Sequence, residues 1–114
     1  MELAEARRFA LSLPEVTEEP HFHLSSFRVR GKIFATVPQG DALLHVFVSD
    51  EDRELAVAVE PEAYETLWWG KKAVGVKVTL ATADAGRLED LLRAAWARKA
   101  PKRLARAARG DAVE

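Results

Sequence analysis

Residues 25–48 read SSFRVRGKIFATVPQGDALLHVFV, a run rich in Phe, Val, Ile and Thr that is broken at Arg30-Gly31 and again at Pro38-Gln39-Gly40-Asp41. Aromatic and β-branched residues bounded by Gly, Pro and Asp clusters are the pattern of strands joined by short turns. The stretch predicts a three-strand antiparallel meander. With Arg30 and Gly31 as the two central residues of the first turn, Phe27 falls opposite Phe34 and the basic side chains gather at the hairpin tip.

Upstream, Ala6, Phe9, Ala10 and Leu13 recur at the i, i+3, i+4, i+7 spacing of one helix face and Pro14 ends the pattern, so a helix is expected over residues 2–13. The following LPEVTEEPHFHL, residues 13–24, has two prolines and no helical period and reads as a loop that returns the chain to the sheet. Downstream, Ser49 precedes Asp50, Glu51 and Asp52, an N-cap hydroxyl with negative charge in the first turn. A helix over 50–58 is expected there, although Leu55, Val57 and Val59 also alternate as a strand would. Pro61 opens a short turn through Tyr64 and Leu67. AVGVKVTL, residues 73–80, puts Val74, Val76, Val78 and Leu80 on one face of a strand and Lys77 and Thr79 on the other. Leu88, Leu91, Leu92, Ala95 and Trp96 fit a helix over 84–99 that lays a Leu and Trp stripe on the sheet. Pro101 suits the first position of a further short helix, on which Lys102, Arg106 and Arg109 share one face and Leu104 and Ala108 another.

With 114 residues, 48% of them apolar, the chain is expected to form one domain over 1–114, with a basic C-terminal tail from about residue 101. It contains no cysteine, which removes disulfides, thiolate nucleophiles and Cys-ligated zinc. There is no 18-residue apolar run, and the opening MELAEARRFALSLPEV lacks the apolar segment of a secretory signal. A cytoplasmic protein with no membrane partner is therefore expected. The abundance of Ala, Leu, Glu and Arg beside a single Met suits a thermophile.

The net charge of −1 hides a strong segregation. Residues 25–40 carry +3 and residues 67–83 carry +3, in both cases without an acid, and residues 93–109 carry +7. Between them, residues 41–66 carry −7 and residues 1–24 carry −3. Sign asymmetry of this kind shows where an anion can dock, while the same blocks also serve as solvated faces that neutralise one another.

Catalytic chemistry finds little support. His21 and His23 in HFH point the same way from an extended segment and could join His45 at a metal ion, but no third and fourth ligand is evident from spacing, so no metal site is assigned. GKIFAT lacks the glycine and the hydroxyl residue of a phosphate loop, since Ser26 and Ile33 stand at those places. Ser25 and Ser26 have no nucleophile-elbow context. No set of nucleophile, base and oxyanion donor is visible, and neither a catalytic residue nor a cofactor is expected. Trp68 and Trp69 are adjacent before a strand, where neighbouring side chains point to opposite faces, so one indole is expected at the surface.

Four ordered motifs, LPEVTEEPHF (13–22), FRVRGKIFATV (27–37), WGKKAVGVKV (69–78) and LLRAAWARKAPKRL (91–104), resemble those of the MmcQ/YjbR family over about residues 3–108. The resemblance implies an α+β fold, a two-layer arrangement of an antiparallel sheet flanked by N- and C-terminal helices, similar to type III secretion chaperones. It also implies a double-wing arrangement proposed for DNA binding, with no cofactor and no established catalytic residues. Carried over residue by residue, the family's basic hairpin corresponds to Arg28, Arg30 and Lys32, its tryptophan-lysine loop to Trp69, Lys71 and Lys72, and its C-terminal APKRL to Lys102 and Arg103. HFHLSSF departs from the pattern, with His23 and Leu24 where many members have a Gly-Lys pair.

Two functions follow from these residues. Acid-free basic segments interleaved with Phe27, Phe34, Trp68 and Trp69 suit a DNA-binding module that neutralises phosphates. The chaperone-like fold and the side-by-side acidic and basic blocks suit a protein- or peptide-binding domain, or one that self-associates, with Trp68 or Trp69 as an anchor.

Overall fold

Hydrogen-bonded strand pairing and helix capping produce ten elements, described for residues 1–108 by a computed structural model. They are α1 (Leu3–Ser12), β1 (Val16–His21), β2 (Leu24–Val29), β3 (Lys32–Val37), β4 (Leu43–Val46), α2 (Asp50–Val59), β5 (Tyr64–Trp69), β6 (Lys72–Thr79), α3 (Ala85–Lys99) and α4 (Lys102–Ala108). The strands form one antiparallel sheet in the order β1-β2-β3-β4-β6-β5. The α+β architecture and the meander through β2, β3 and β4 match the sequence reading.

Three expectations are corrected. Residues 13–24 are not a loop, because Val16–His21 pairs with β2 along its length, from Val16 opposite Val29 to His21 opposite Leu24. Pro20 and two glutamates are tolerated in β1 because it is an edge strand, where one row of backbone groups needs no partner strand. The turn expected through Tyr64 and Leu67 is the second edge strand, β5, paired with β6 from Tyr64 opposite Val78 to Trp69 opposite Lys72. Phe27 lies opposite Ala35 rather than Phe34, since the register slips by one residue between Phe27 and Arg28. That bulge lets Phe34 and Ala35 both be buried.

Helix boundaries follow capping chemistry. The Ser49 hydroxyl accepts from the Asp52 amide at 3.1 Å, which settles the ambiguous ELAVAVE stretch as α2. Asp84 caps α3 in the same way through the Arg87 amide at 2.9 Å. Pro101 immediately precedes α4, and its carbonyl accepts the Ala105 amide. Arg109, expected on the basic face of that helix, lies outside the described residues.

α3 packs mainly across β3, with α1, β2 and β4 beside it, burying Leu88, Leu92, Ala95 and Trp96. The Trp96 indole N–H donates to the Pro14 carbonyl at 3.0 Å, so the core's largest side chain also fixes the corner between α1 and β1. Arg93 and Arg98 emerge on the exposed side of the same helix, as its period requires.

Candidate nucleic-acid interface

β3 and β6 each pair antiparallel with β4 and therefore run parallel to each other. Both begin at the same end of the sheet, so the turns that precede them, Arg30-Gly31 and Gly70-Lys71, project from that one end. The hairpins β2–β3 and β5–β6 stand on either side of β4 with their midlines three strand spacings apart, about 14 Å at the usual inter-strand distance. The first turn has positive φ at both central residues, 52° at Arg30 and 82° at Gly31, the backbone of a type I′ turn. Left-handed backbone is unfavourable for arginine. Its position there keeps a cation at the outermost point of the hairpin.

The C-terminal basic segment reaches the same end. The Arg98 guanidinium, at the end of α3, donates to the Phe47 carbonyl just beyond β4 at 2.9 Å. Arg103 of α4 shares a depression of about 450 Å³ with Arg30, Glu15 and Pro101. Three basic segments far apart in sequence thus meet at one end of the sheet.

The residues expected to bind differ in how free they are. Arg30 is ion-paired with Glu15, whose carboxyl is held below the usual carboxylate range by the hydrogen bond from that guanidinium. Arg28 is set back from the tip, where it donates to the Ser26 hydroxyl at 2.9 Å and to the Pro20 carbonyl at 3.1 Å. Lys32, Lys71, Lys72, Lys102 and Arg103 are exposed, and among the described residues none has a carboxylate within 4.0 Å. The structure therefore brings Arg30, Lys32, Trp69, Lys71, Lys72 and Arg103 to one end and leaves Arg28 along the side. The acidic stretch 41–66 is not wholly remote, because α2 starts at this end. Its Asp50 is paired with Arg53 at 2.5 Å, while the β3–β4 turn with Asp41 lies at the opposite end.

Both tryptophans are exposed, Trp68 by 58% and Trp69 by 64%, where only one was expected at the surface. They are the last two residues of an edge strand, beside a register slip whose extra residue, Val74, belongs to β6. Trp69 rests edge-on against Phe47, with ring centroids 5.5 Å apart. Together they border a groove of about 840 Å³ that begins between the hairpins and extends to Thr36 and His45. Lys72, Arg98 and Lys99 also line this groove.

Arg98, Lys99 and Phe47 were not singled out from sequence. Arg98 reads as an ordinary exposed position in a helical last turn; its contact across 51 residues gives it a place here, and Lys99 lines the groove beside it. Ser26, Thr36, His45 and Lys77 are successive register partners across β2, β3, β4 and β6 and so share one face. Burial, with the charge of Lys77, lowers the His45 pKa from its ordinary value, so the imidazole is neutral at neutral pH. His21 also lines the groove. Among the described residues no three His, Asp or Glu side chains are grouped to hold a metal ion. Ser25 donates to Glu18 at 2.5 Å and Ser26 to the Glu19 carbonyl at 2.7 Å, contacts that tie the two hydroxyls to β1. Among the described residues, no helix is long and apolar enough to cross a membrane.

A family model described as YjbR matches residues 11–98 of the chain. The fold is similar to the crystal structure of a Deinococcus radiodurans protein, DR2400, whose domain is described as DUF419, with a TM-score of 0.75 and 24% identity over 100% of this chain and 94% of that one. No curated protein matches the chain.

Proposed function

This chain belongs to the YjbR family, and on that premise we propose that it is a non-enzymatic, cytoplasmic DNA-binding protein whose two hairpins grip the phosphate backbone. The observation that carries the reading is the emergence of both hairpin tips from one end of the sheet, where among the described residues Lys32, Lys71 and Lys72 have no carboxylate within 4.0 Å. Their separation of about 14 Å is comparable to the B-DNA major groove, about 12 Å wide, so the tips suit the two phosphate ridges that border it. Contacts of this kind give affinity without sequence choice.

The strength of the effect follows from the number of free cations. If Lys32, Lys71, Lys72, Lys99 and Arg103 each neutralise one phosphate, log affinity falls with log salt at a slope of about −4.5. Between about 50 and 200 mM salt that slope corresponds to a roughly 500-fold loss. Fluorescence-anisotropy titration of a labelled duplex at the two salt concentrations tests this, with Lys71→Glu, Lys72→Glu in parallel. The double variant removes two contacts, which brings the slope to about −2.7, and adds repulsion. A slope near zero, or equal binding by the variant, contradicts the proposal.

A second reading has one observation in its favour. Phe22, in the β1–β2 turn, is 87% exposed and borders the same groove, as an apolar anchor for a protein partner or a second copy of the chain would. It predicts a partner recovered equally well with and without nuclease treatment; recovery abolished by nuclease contradicts it.

A further inference from the structure

The groove between the hairpins has a composition that duplex binding does not use. Phosphate neutralisation needs only cations, yet the wall nearest the wing tips presents the exposed indole of Trp69, supported by Phe47. An indole held on one side and open on the other is a preorganised stacking surface, because little further freedom is lost when a planar group settles on it. Lys72 is the cross-strand partner of Trp69, which puts an ammonium group beside the ring. Arg98, fixed by its hydrogen bond to the Phe47 carbonyl, and Lys99 supply cations on the side formed by α3. Asp50, the acid that borders the groove, is paired with Arg53. From the level of Lys72 to that of Lys77, the partner of His45, the groove follows five residues of extended strand, about 17 Å. That length accommodates a few nucleotides. At its inner end Thr36 and His45 offer a hydroxyl and an imidazole, each able to donate and accept hydrogen bonds at a base edge.

We infer that this groove receives unpaired nucleotides of a single-stranded nucleic acid, with a base stacked on Trp69 and the adjoining phosphates held by Lys72, Arg98 and Lys99. The inference rests on the nucleic-acid reading above and deepens it. A double helix keeps its bases stacked inside and offers nothing to the indole, whereas a single strand exposes a π-face at every residue. The preferred ligand is therefore a single strand, or the junction where a duplex opens.

The test compares oligothymidylate with a duplex of equal length by anisotropy at one salt concentration, and follows intrinsic tryptophan fluorescence in the same titrations. Trp96 is buried, so quenching reports on Trp68 and Trp69. The expected result is tighter binding of the single strand with strong quenching. Trp69→Ala should weaken that binding roughly 5- to 150-fold, the equivalent of about 1–3 kcal/mol for one stacked base. Trp69→Phe should recover most of the loss. Because Trp69 is exposed, neither substitution removes core packing, and an unchanged melting temperature verifies this. Duplex binding with no single-strand preference and no effect of Trp69→Ala overturns this inference while leaving the proposed function standing. Absence of binding to either oligonucleotide overturns both.

Discussion

Gly75→Ala is the substitution that most severely tests how the two hairpins are held together. Gly75 lies in β6, one residue before the Val76 that pairs with Val46 of β4. A Cβ at this position falls far inside contact distance of the Val46 carbonyl oxygen, 2.9 Å from the Phe47 Cα and 3.0 Å from the Val46 carbonyl carbon. Carbon atoms pack best at about 3.5–4.0 Å, so β4 would have to retreat by at least roughly 0.6 Å. All three obstacles are backbone and cannot rotate aside. β4 is only four residues long and is the strand that joins the two hairpins, so its displacement loosens the ladder from Leu43–Thr79 to Val46–Val76. Overpacking costs about 1–3 kcal/mol. Ladder hydrogen bonds at about 1 kcal/mol each bring the total to about 3–5 kcal/mol. At about 4 °C per kcal/mol for a domain of this size, the melting temperature falls by roughly 12–20 °C. Thermal unfolding followed by far-UV circular dichroism measures the shift. Gly86→Ala is the control, because its Cβ meets nothing closer than a side-chain oxygen of Asp84 at 3.4 Å and a helical alanine is favoured over glycine. It should leave the melting temperature unchanged or slightly higher. A Gly75→Ala protein that melts within about 3 °C of the parent refutes the close β4–β6 approach as the joint between the wings.

Two further outcomes are expected. Glu15→Gln frees Arg30 from its ion pair, so duplex affinity at low salt should rise several-fold and the salt slope should steepen by about 0.9, one added phosphate contact; an unchanged slope means that Arg30 makes no such contact. The lowered pKa of His45 means that on acidification the unfolded chain takes up this proton before the folded one. Urea-denaturation stability should therefore be insensitive to His45 above about pH 6.5, fall as pH drops through that value, and level off once the folded form also protonates. His45→Gln should flatten this fall, and an identical pH profile for the two proteins contradicts the assignment.

What the sequence reveals about this fold depends on where each element lies. Central β2, β3, β4 and β6 are legible because they are buried enough to carry Val, Ile and Phe in near-continuous runs. The two elements read as loop and turn, β1 and β5, are the two edges. In β1 the strand is held by register with β2 and by Glu18, which accepts from Arg7 at 3.0 Å and from Ser25, and neither interaction leaves a period-2 apolar pattern. β5 begins soon after Pro61 and ends in two exposed tryptophans at the sheet edge, so no period-2 apolar pattern marks it. The expected Phe27–Phe34 pairing fails because no residue type announces a bulge. At the candidate interface, Lys32, Lys71 and Lys72 stand out in sequence because acid-free segments surround them. The neutralisation of Arg30 by Glu15 and the recruitment of Arg98 to Phe47 depend on contacts across 15 and 51 residues. Spacing along the chain carries no trace of them.

The most direct test of the shared wing surface is amide chemical-shift mapping of the isotope-labelled protein with a short DNA duplex at low salt. The shifts should concentrate in the segments around Arg30–Lys32, Gly70–Lys72 and Arg98–Arg103, which three separate parts of the chain bring to one end of the sheet. Shifts gathered instead around Asp41–Leu43 and Ala63 at the opposite end, or no shifts at all, would contradict it.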